Sequence, residues 1–171
     1  LAREKELWFL VAVAILFFHR ELFFSETAFI RDLCSYFLPQ RQLLVEQLRS
    51  AVLPLWNPYI QGGQAFLPSV ANSLLVPSNL LYLVLSPVRA LNAVIALHLM
   101  LCLVSSYALA RVLGLRPAAA LVSGIAFGLS GPVLSLVNLL NHFIALSFLP
   151  LMALFWHLFL SERRHRWLQA T

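Results

Sequence analysis

Residues 90–110 read ALNAVIALHLMLCLVSSYALA, a run that contains no Asp, Glu, Lys or Arg. A helix that crosses the hydrocarbon core of a bilayer needs about 20 consecutive, mainly apolar residues. The run ends at Arg111, and a basic residue at that position is typical of the membrane surface. The stretch therefore predicts a transmembrane helix that carries one histidine, His98.

The whole chain has the composition of a membrane protein. Of its 171 residues, 61% are hydrophobic and 11% are charged, against about 45–50% and about 25% in soluble domains. A soluble fold cannot bury that much apolar surface, whereas lipid accepts it. The Lys and Arg residues behind the net charge of +5 are scattered or flank apolar runs. Because they form no single basic face, the sequence predicts no nucleic-acid partner.

Three more apolar segments bring the prediction to four transmembrane helices. They are residues 7–24, 118–137 and 143–160. The third span, 118–137, is rich in Ala, Gly and Ser, which allow helices to pack closely in lipid. The predicted fold is thus an all-α integral membrane protein with a long external first loop that contains interfacial helices.

The predicted domains follow from these spans. Residues 1–24 hold a cytoplasmic amino terminus and the first helix, 25–89 form the external loop, and 90–171 hold the other three helices. Since the chain begins with Leu1, we expect it to be a piece of a longer protein.

Basic residues at three places indicate one orientation. The amino terminus, the turn at 111–116 and the cluster at 163–166 are all basic, and the positive-inside rule places all three in the cytoplasm. The segment 25–89 and the short turn at 138–142 then lie on the external face, where their polar residues can meet.

The external segment contains one stretch with helical periodicity. Residues 40–52 have apolar side chains at four-residue steps (Leu44, Leu48 and Val52), while Gln42, Glu46 and Arg49 fall on another face. This pattern predicts an amphipathic helix at the membrane surface.

Two further stretches of this segment have no such periodicity. Residues 54–64, PLWNPYIQGGQ, contain two prolines and a glycine pair and predict an irregular loop. Residues 74–85 are apolar but short and contain Pro77, which favours a re-entrant or interfacial helix over a span.

Asp32 is the only aspartate in the chain and follows the first span closely. A carboxylate near the membrane face can act as a general base or bind a divalent ion. The alternative is a solvated charge that pairs with Arg31 or with a helix end.

Two groups of polar residues are candidates for ligand binding. Trp56, Asn57, Tyr59 and Gln64 combine stacking surfaces with amide donors, which suit sugars and lipid headgroups. The alternative is a structural loop with interfacial aromatic residues. Asn141 and His142 fall in the external turn, either as binding residues or as an ordinary turn Asn beside an interfacial His.

The string PLWNPYIQGGQAF at 54–66 resembles the YfhO-type bacterial membrane proteins, relatives of the GT-C glycosyltransferases. Other matching segments follow in the order of that family and extend the resemblance over about residues 28–160. They are Asp32 with Tyr36 and Pro39, VPSNLLY at 76–82, LHL at 97–99, ARVLGL at 110–115, GIAFGLSG at 124–131, and NH at 141–142 through LP at 149–150.

The resemblance implies a bacterial cytoplasmic-membrane enzyme that moves a sugar from a polyprenyl-phosphate donor at the outer face. It implies that Asp32 deprotonates or positions the acceptor hydroxyl, that Arg31 and Tyr36 contribute to substrate binding, and that Arg31, Arg41 or Arg89 neutralises the lipid phosphate. It also implies that a carboxy-terminal half lies outside this chain and that this part alone is inactive.

The resemblance does not decide which cofactor is used or whether the chain is part of an enzyme. The acidic residue nearest to Asp32 is Glu26, so a divalent metal is one option and is not assigned. The alternative function is a non-enzymatic transporter, flippase-like protein or scaffold subunit. Transport predicts essential polar residues at mid-membrane, for which His98 is a candidate, while sugar transfer predicts them at the external interface.

Overall fold

The structure is a computed structural model that describes residues 5–17, 31–69 and 73–169, except for the side chains of 162–169. In chain order its α-helices are α1 (Lys5–Phe17), α2 (Leu38–Arg49), α3 (Leu81–Val84), α4 (Pro87–Val112), α5 (Pro117–Gly128), α6 (Gly131–Ser135), α7 (Leu140–Ser147) and α8 (Leu149–Gln169). Two short strands, β1 (Trp56–Asn57) and β2 (Gln64–Ala65), form an antiparallel pair.

Among the described residues, three helical stretches are long and apolar enough to cross a membrane. They are Pro87–Val112, Pro117–Asn138 and Leu140–Ser161. They confirm the prediction of a mostly helical protein with membrane-spanning character, and they coincide with the segments predicted as spans at 90–110, 118–137 and 143–160. Of the span expected at 7–24, α1 covers the first part, and residues 18–24 lie outside the described residues.

The contacts divide the described chain into two compact units. The first unit contains residues 5–17, 98–135 and 144–169, and the second contains 31–69, 73–97 and 136–143.

Helix α4 ends in the tight turn that its sequence predicts. Gly114 has a φ of +90°, which glycine adopts without steric cost. The amide of Leu115 donates to the carbonyl of Ala110 and the amide of Gly114 donates to that of Arg111. This pairing satisfies the last carbonyls of the helix, and the Arg111 side chain also donates to the carbonyl of Leu115.

Small residues bring α5 close to α4 within the first unit. An ideal Cβ placed on Gly124 would lie 2.8 Å from the carbonyl oxygen of Leu103, and one on Gly128 would lie 2.6 Å from a Leu103 methyl carbon. At Gly124 the contact is with the α4 backbone, so a larger side chain would displace that helix, whereas at Gly128 the Leu103 side chain would have to move. The predicted close helix packing is confirmed at these two glycines.

The third and fourth spans are interrupted, which their hydropathy does not predict. In the third, α5 ends at Gly128, and α6 and a 3₁₀ turn (Leu136–Asn138) follow. In the fourth, α7 ends at Ser147 and α8 begins at Leu149, next to Pro150, which has no amide hydrogen to donate. The expectation of a turn at Asn141 and His142 is wrong, since both lie in the first turn of α7.

The second unit packs around α2 and the strand pair. Leu44, Phe66 and Leu74 form its buried cluster. Helix α2 begins two residues earlier than the amphipathic helix predicted at 40–52 and ends three residues earlier, and Val52 is exposed beyond its end. The face with Gln42, Glu46 and Arg49 is exposed as expected.

The strand pair corrects the prediction of an irregular loop at 54–64. The chain turns between the strands through Gly62 and Gly63, whose φ angles are +74° and +112°. Such angles are available to glycine, and they let Trp56 and Asn57 pair with Ala65 and Gln64. In the stretch 74–85, a 3₁₀ turn (Pro77–Leu80) leads directly into the single turn of α3.

Candidate functional site

A cavity of about 350 Å³ in the second unit brings together four of the residues predicted for the site. Its polar lining residues are Asp32, Tyr36, Asn141 and His142, and the apolar ones are Phe37 and Leu139. Because about a hundred residues separate Tyr36 from Asn141 in the sequence, this grouping is a property of the tertiary structure.

A π-helical segment (Leu33–Phe37) places Asp32 and Tyr36 on the cavity wall. Asp32 precedes this segment, and its carboxylate makes no capping hydrogen bond. A π-helix has a wider repeat than an α-helix and is frequently found at functional sites. Here it places both Tyr36 and Phe37 beside Asp32, and the two rings meet edge to face with centroids 5.1 Å apart.

Arg31 lies at the start of this segment but not in the cavity lining. Its φ of +53° is unusual for a residue with a side chain, and its carbonyl accepts a hydrogen bond of 3.1 Å from the hydroxyl of Ser35. Within the described part of the chain, Arg31 and Asp32 form no ion pair with each other. The alternative account of Asp32 as a charge neutralised by Arg31 therefore gains no support.

The side chains of Asn141 and His142 are hydrogen-bonded to each other at the other wall. The distance from His142 Nδ1 to Asn141 Oδ1 is 3.0 Å. Since the amide oxygen is an acceptor, Nδ1 donates in this pair, and in the neutral tautomer Nε2 is an acceptor. Together with the Asp32 carboxylate, the cavity thus offers two groups that can accept a proton.

The aromatic and amide residues of the strand pair lie elsewhere. None of Trp56, Asn57, Tyr59 and Gln64 lines the Asp32 cavity. Asn57 is buried, and its side-chain oxygen accepts a 2.9 Å hydrogen bond from the amide of Tyr59, which is a structural role. Tyr59 is 80% exposed and Trp56 is also exposed, so both aromatic surfaces are open to a ligand or a lipid interface.

The burial of Arg41 was not expected from the sequence. Its side chain is fully buried, and its three guanidinium nitrogens have no hydrogen-bond partner among the described residues. Its guanidinium lies over the ring of Tyr82, whose hydroxyl also has no such partner. The sequence does contain a signal for this burial. Arg41 precedes the buried Leu44 and Val45 by three and four residues, so the three side chains share one face of the helix.

Burial changes the acid–base properties of this pair. It lowers the pKa of the Arg41 guanidinium, an effect that the nearby phenols of Tyr82 and Tyr36 oppose. It raises the pKa of Tyr82 to about 12, and the positive charge of Arg41 opposes that shift. Burial in both cases disfavours the charged form, the general effect of a low-dielectric environment.

His98 has a partner within the first unit. Its Nδ1 lies 2.7 Å from the hydroxyl of Ser147, and its ring meets that of Phe148 edge to face at 5.6 Å. Since both polar groups are buried, the hydrogen bond lets them lie within apolar spans at low cost.

The described residues contain no group of three or more His, Cys, Asp or Glu side chains that could hold a metal ion. Comparisons of the chain with protein-family models, with curated proteins and with solved structures find no match. The resemblance to the YfhO-type proteins therefore stays a prediction, and the functional proposal depends on the geometry of the Asp32 cavity.

Proposed function

We propose that this chain acts in a membrane glycosyltransferase that moves a sugar from a polyprenyl-phosphate donor to an acceptor at the external membrane face. The observation that carries the proposal is the cavity in which Asp32 meets Tyr36, Asn141 and His142. A lone surface carboxylate would not support it. A carboxylate beside a phenol, an amide and an imidazole supplies both a base and hydrogen-bond partners for a polyhydroxylated substrate.

Each cavity residue has a role in this proposal. Asp32 accepts the proton of the acceptor hydroxyl as its oxygen attacks the anomeric carbon, and the bond from that carbon to the phosphate oxygen breaks with inversion. The electron pair of that bond leaves with the lipid phosphate. Tyr36, Asn141 and His142 hold the sugar hydroxyls, and the exposed Trp56 and Tyr59 offer flat faces to a sugar or to lipid.

The proposed membrane topology has the four spans that the sequence predicts, at 7–24, 90–110, 118–137 and 143–160. The amino terminus, the 111–116 turn and the 163–166 cluster then face the cytoplasm of a bacterial cell. This topology puts Asp32 and His142 on the same, external side, and their shared cavity supports it. Tyr59→Cys and Leu113→Cys test it, each in a variant in which Cys34 and Cys102 are replaced by Ser: an impermeant thiol reagent should label the first in intact cells and the second only after lysis. The reverse pattern would overturn the orientation.

Asp32→Asn in the complete protein tests the chemistry. We expect transfer of a radiolabelled sugar from a polyprenyl-phosphate donor mixture to fall at least about a hundredfold, the scale expected of a general base. Glu46→Gln is the matched control, since Glu46 is an exposed acid outside the cavity. Full activity of the Asp32 variant would remove Asp32 from the mechanism.

A non-enzymatic role is the second candidate, as a transporter, flippase-like protein or scaffold subunit. The buried pair of His98 and Ser147 favours it, because polar groups inside apolar spans are typical of transport pathways. If the wild-type protein transfers no sugar and His98→Phe abolishes lipid or solute movement in proteoliposomes, this candidate replaces the enzyme.

A further inference from the structure

A second cavity, of about 480 Å³, lies within the first unit. Three helices contribute to its lining, which is mostly apolar and includes Ser106, Ala110 and Leu113 from α4 and its turn, Phe127 from α5, and Pro150 from α8. Its volume falls within the range of about 300–1,000 Å³ that is common for small-molecule sites. It shares no lining residue with the Asp32 cavity.

One buried polar atom in this cavity lacks a hydrogen-bond partner. The hydroxyl of Ser106 is buried and has no partner among the described residues, whereas its neighbour Ser105 donates to the carbonyl of Leu101. An unpaired hydroxyl is costly in an apolar environment. A ligand with an acceptor oxygen at this depth would satisfy Ser106.

The cavity ends at a basic turn. Leu113 and Leu115 line it, and they lie between Arg111 and Arg116. Arg111 is fixed beside the lining by its hydrogen bond to the carbonyl of Leu115, and Arg116 is exposed.

Nothing acidic in the neighbouring sequence neutralises these two arginines. No Asp or Glu occurs between Glu46 and Glu162. The combination of an apolar cavity and two positive charges at its end is complementary to an amphipathic anion rather than to a purely apolar helix.

We propose that this cavity binds one acyl chain of an anionic membrane phospholipid, whose phosphate lies at Arg111 and Arg116. Ser106 precedes Arg111 by five residues, which is about 7–8 Å along a helix axis. At that depth below the phosphate, the hydroxyl of Ser106 donates to an ester carbonyl of the lipid. The site is independent of the proposed sugar transfer.

The test uses the complete protein in phosphatidylcholine nanodiscs that contain a small fraction of phosphatidylglycerol with a photoreactive acyl chain. We expect labels on the peptides that carry residues 106–113 and 123–127. A phosphatidylcholine probe with the same acyl chain has the same phosphate but no net charge, because its choline is a cation. It should label these peptides less, by about fivefold for each arginine beside the headgroup. Equal labelling by both probes, or labelling elsewhere only, would overturn the proposal.

Substitutions at two positions distinguish binding of the lipid tail from binding of its headgroup. Ala110→Phe fills the cavity and should abolish labelling, while Val122→Phe, at an exposed position of α5 that does not line the cavity, should not. Arg116→Gln should lower the preference for phosphatidylglycerol about fivefold and leave tail labelling in place. Arg49→Gln, an exposed arginine of the other unit, is its control and should change nothing.

A third outcome decides between lipid and protein as the occupant. If the photoreactive lipid does not label the cavity but a photoreactive group at position 113 crosslinks to a second protein chain, the cavity is a helix-docking site and the lipid proposal fails.

Discussion

The guanidinium carbon of Arg41 lies 6.0 Å from the centroid of the Tyr82 ring. Both side chains are buried in the second unit, and neither has a hydrogen-bond partner for its polar atoms among the described residues. A cation over an aromatic face gains energy from the ring quadrupole, by about 2 kcal/mol or more when both groups are desolvated. The contact between α2 and α3 at this point is therefore a cation–π interaction, and no hydrogen bond with normal geometry accompanies it.

Replacing Tyr82 separates the contribution of the ring from that of the hydroxyl. Tyr82→Phe keeps the ring over Arg41 and should change the free energy of unfolding little. Tyr82→Leu removes the ring and should cost about 2–4 kcal/mol through the lost cation–π contact and reduced packing. Thermal unfolding of both variants in the same detergent measures the difference. Equal destabilisation by the two would assign the effect to the hydroxyl.

Alkaline pH should destabilise the protein through Tyr82. Its pKa is about 12 in the folded protein against 10 when exposed, mainly because burial disfavours the phenolate. Between these values the unfolded chain has lost the proton and the folded chain still holds it, so stability is full below pH 10 and falls as pH rises to 12. The loss is about 2–3 kcal/mol. Denaturant titrations at pH 9 and pH 11 should show about half of this loss, because pH 11 lies midway between the two pKa values, and Tyr82→Phe should abolish it.

Removing the buried charge of Arg41 should not destabilise the protein. A buried cation without hydrogen-bond partners is costly even over an aromatic ring. Replacing buried ionic groups by apolar side chains of similar size is often neutral or stabilising by about 1–4 kcal/mol. Arg41→Met is therefore expected to melt at or above the wild-type temperature. Arg49→Met, at an exposed position of the same helix, is the control. A loss of about 3 kcal/mol or more in Arg41→Met would mean that an anion pairs with Arg41 in the protein.

Gly63 should be essential to the strand pair, and Gly62 less so. A Cβ on Gly63 would lie 2.5 Å from the Trp56 ring at a φ of +112°, while one on Gly62 would meet nothing within 4 Å. Gly63→Ala should cost about 1–3 kcal/mol and shift Trp56. Gly62→Ala has only its backbone strain and should cost about 1–2 kcal/mol. Proteolysis rates at this loop rank the two variants, and the reverse ranking would contradict the contact with Trp56.

The close packing of α4 and α5 predicts a similar contrast between two glycine substitutions, one at the helix contact and one away from it. Gly124→Ala places a methyl group 2.8 Å from the carbonyl of Leu103, whereas Gly131→Ala meets open space. We expect the first to lower stability by about 1–3 kcal/mol through overpacking and the second to have little effect. Melting temperatures in detergent test this, and a fully tolerated Gly124→Ala would show that the two helices separate easily.

Sequence alone predicted the features that depend on local composition. The uncharged run around His98 became the centre of α4, and Gly114 ended that helix, because both depend on residues close in the chain. It did not predict the strand pair at 56–65, since two strands of two residues each leave no periodic pattern to detect. The helical state of Asn141 and His142 was also missed, because turn-forming residue types are common in the first turn of a helix.

By itself, the sequence determined that this chain belongs in a bilayer, because runs of about twenty apolar residues have no other low-energy solvent. Only the tertiary structure decided which polar residues meet. It brought Asp32 into one cavity with His142, and it buried Arg41 on the face that also buries Leu44. Such contacts depend on how distant segments pack, whereas hydropathy and periodicity report only on neighbours along one helix or strand.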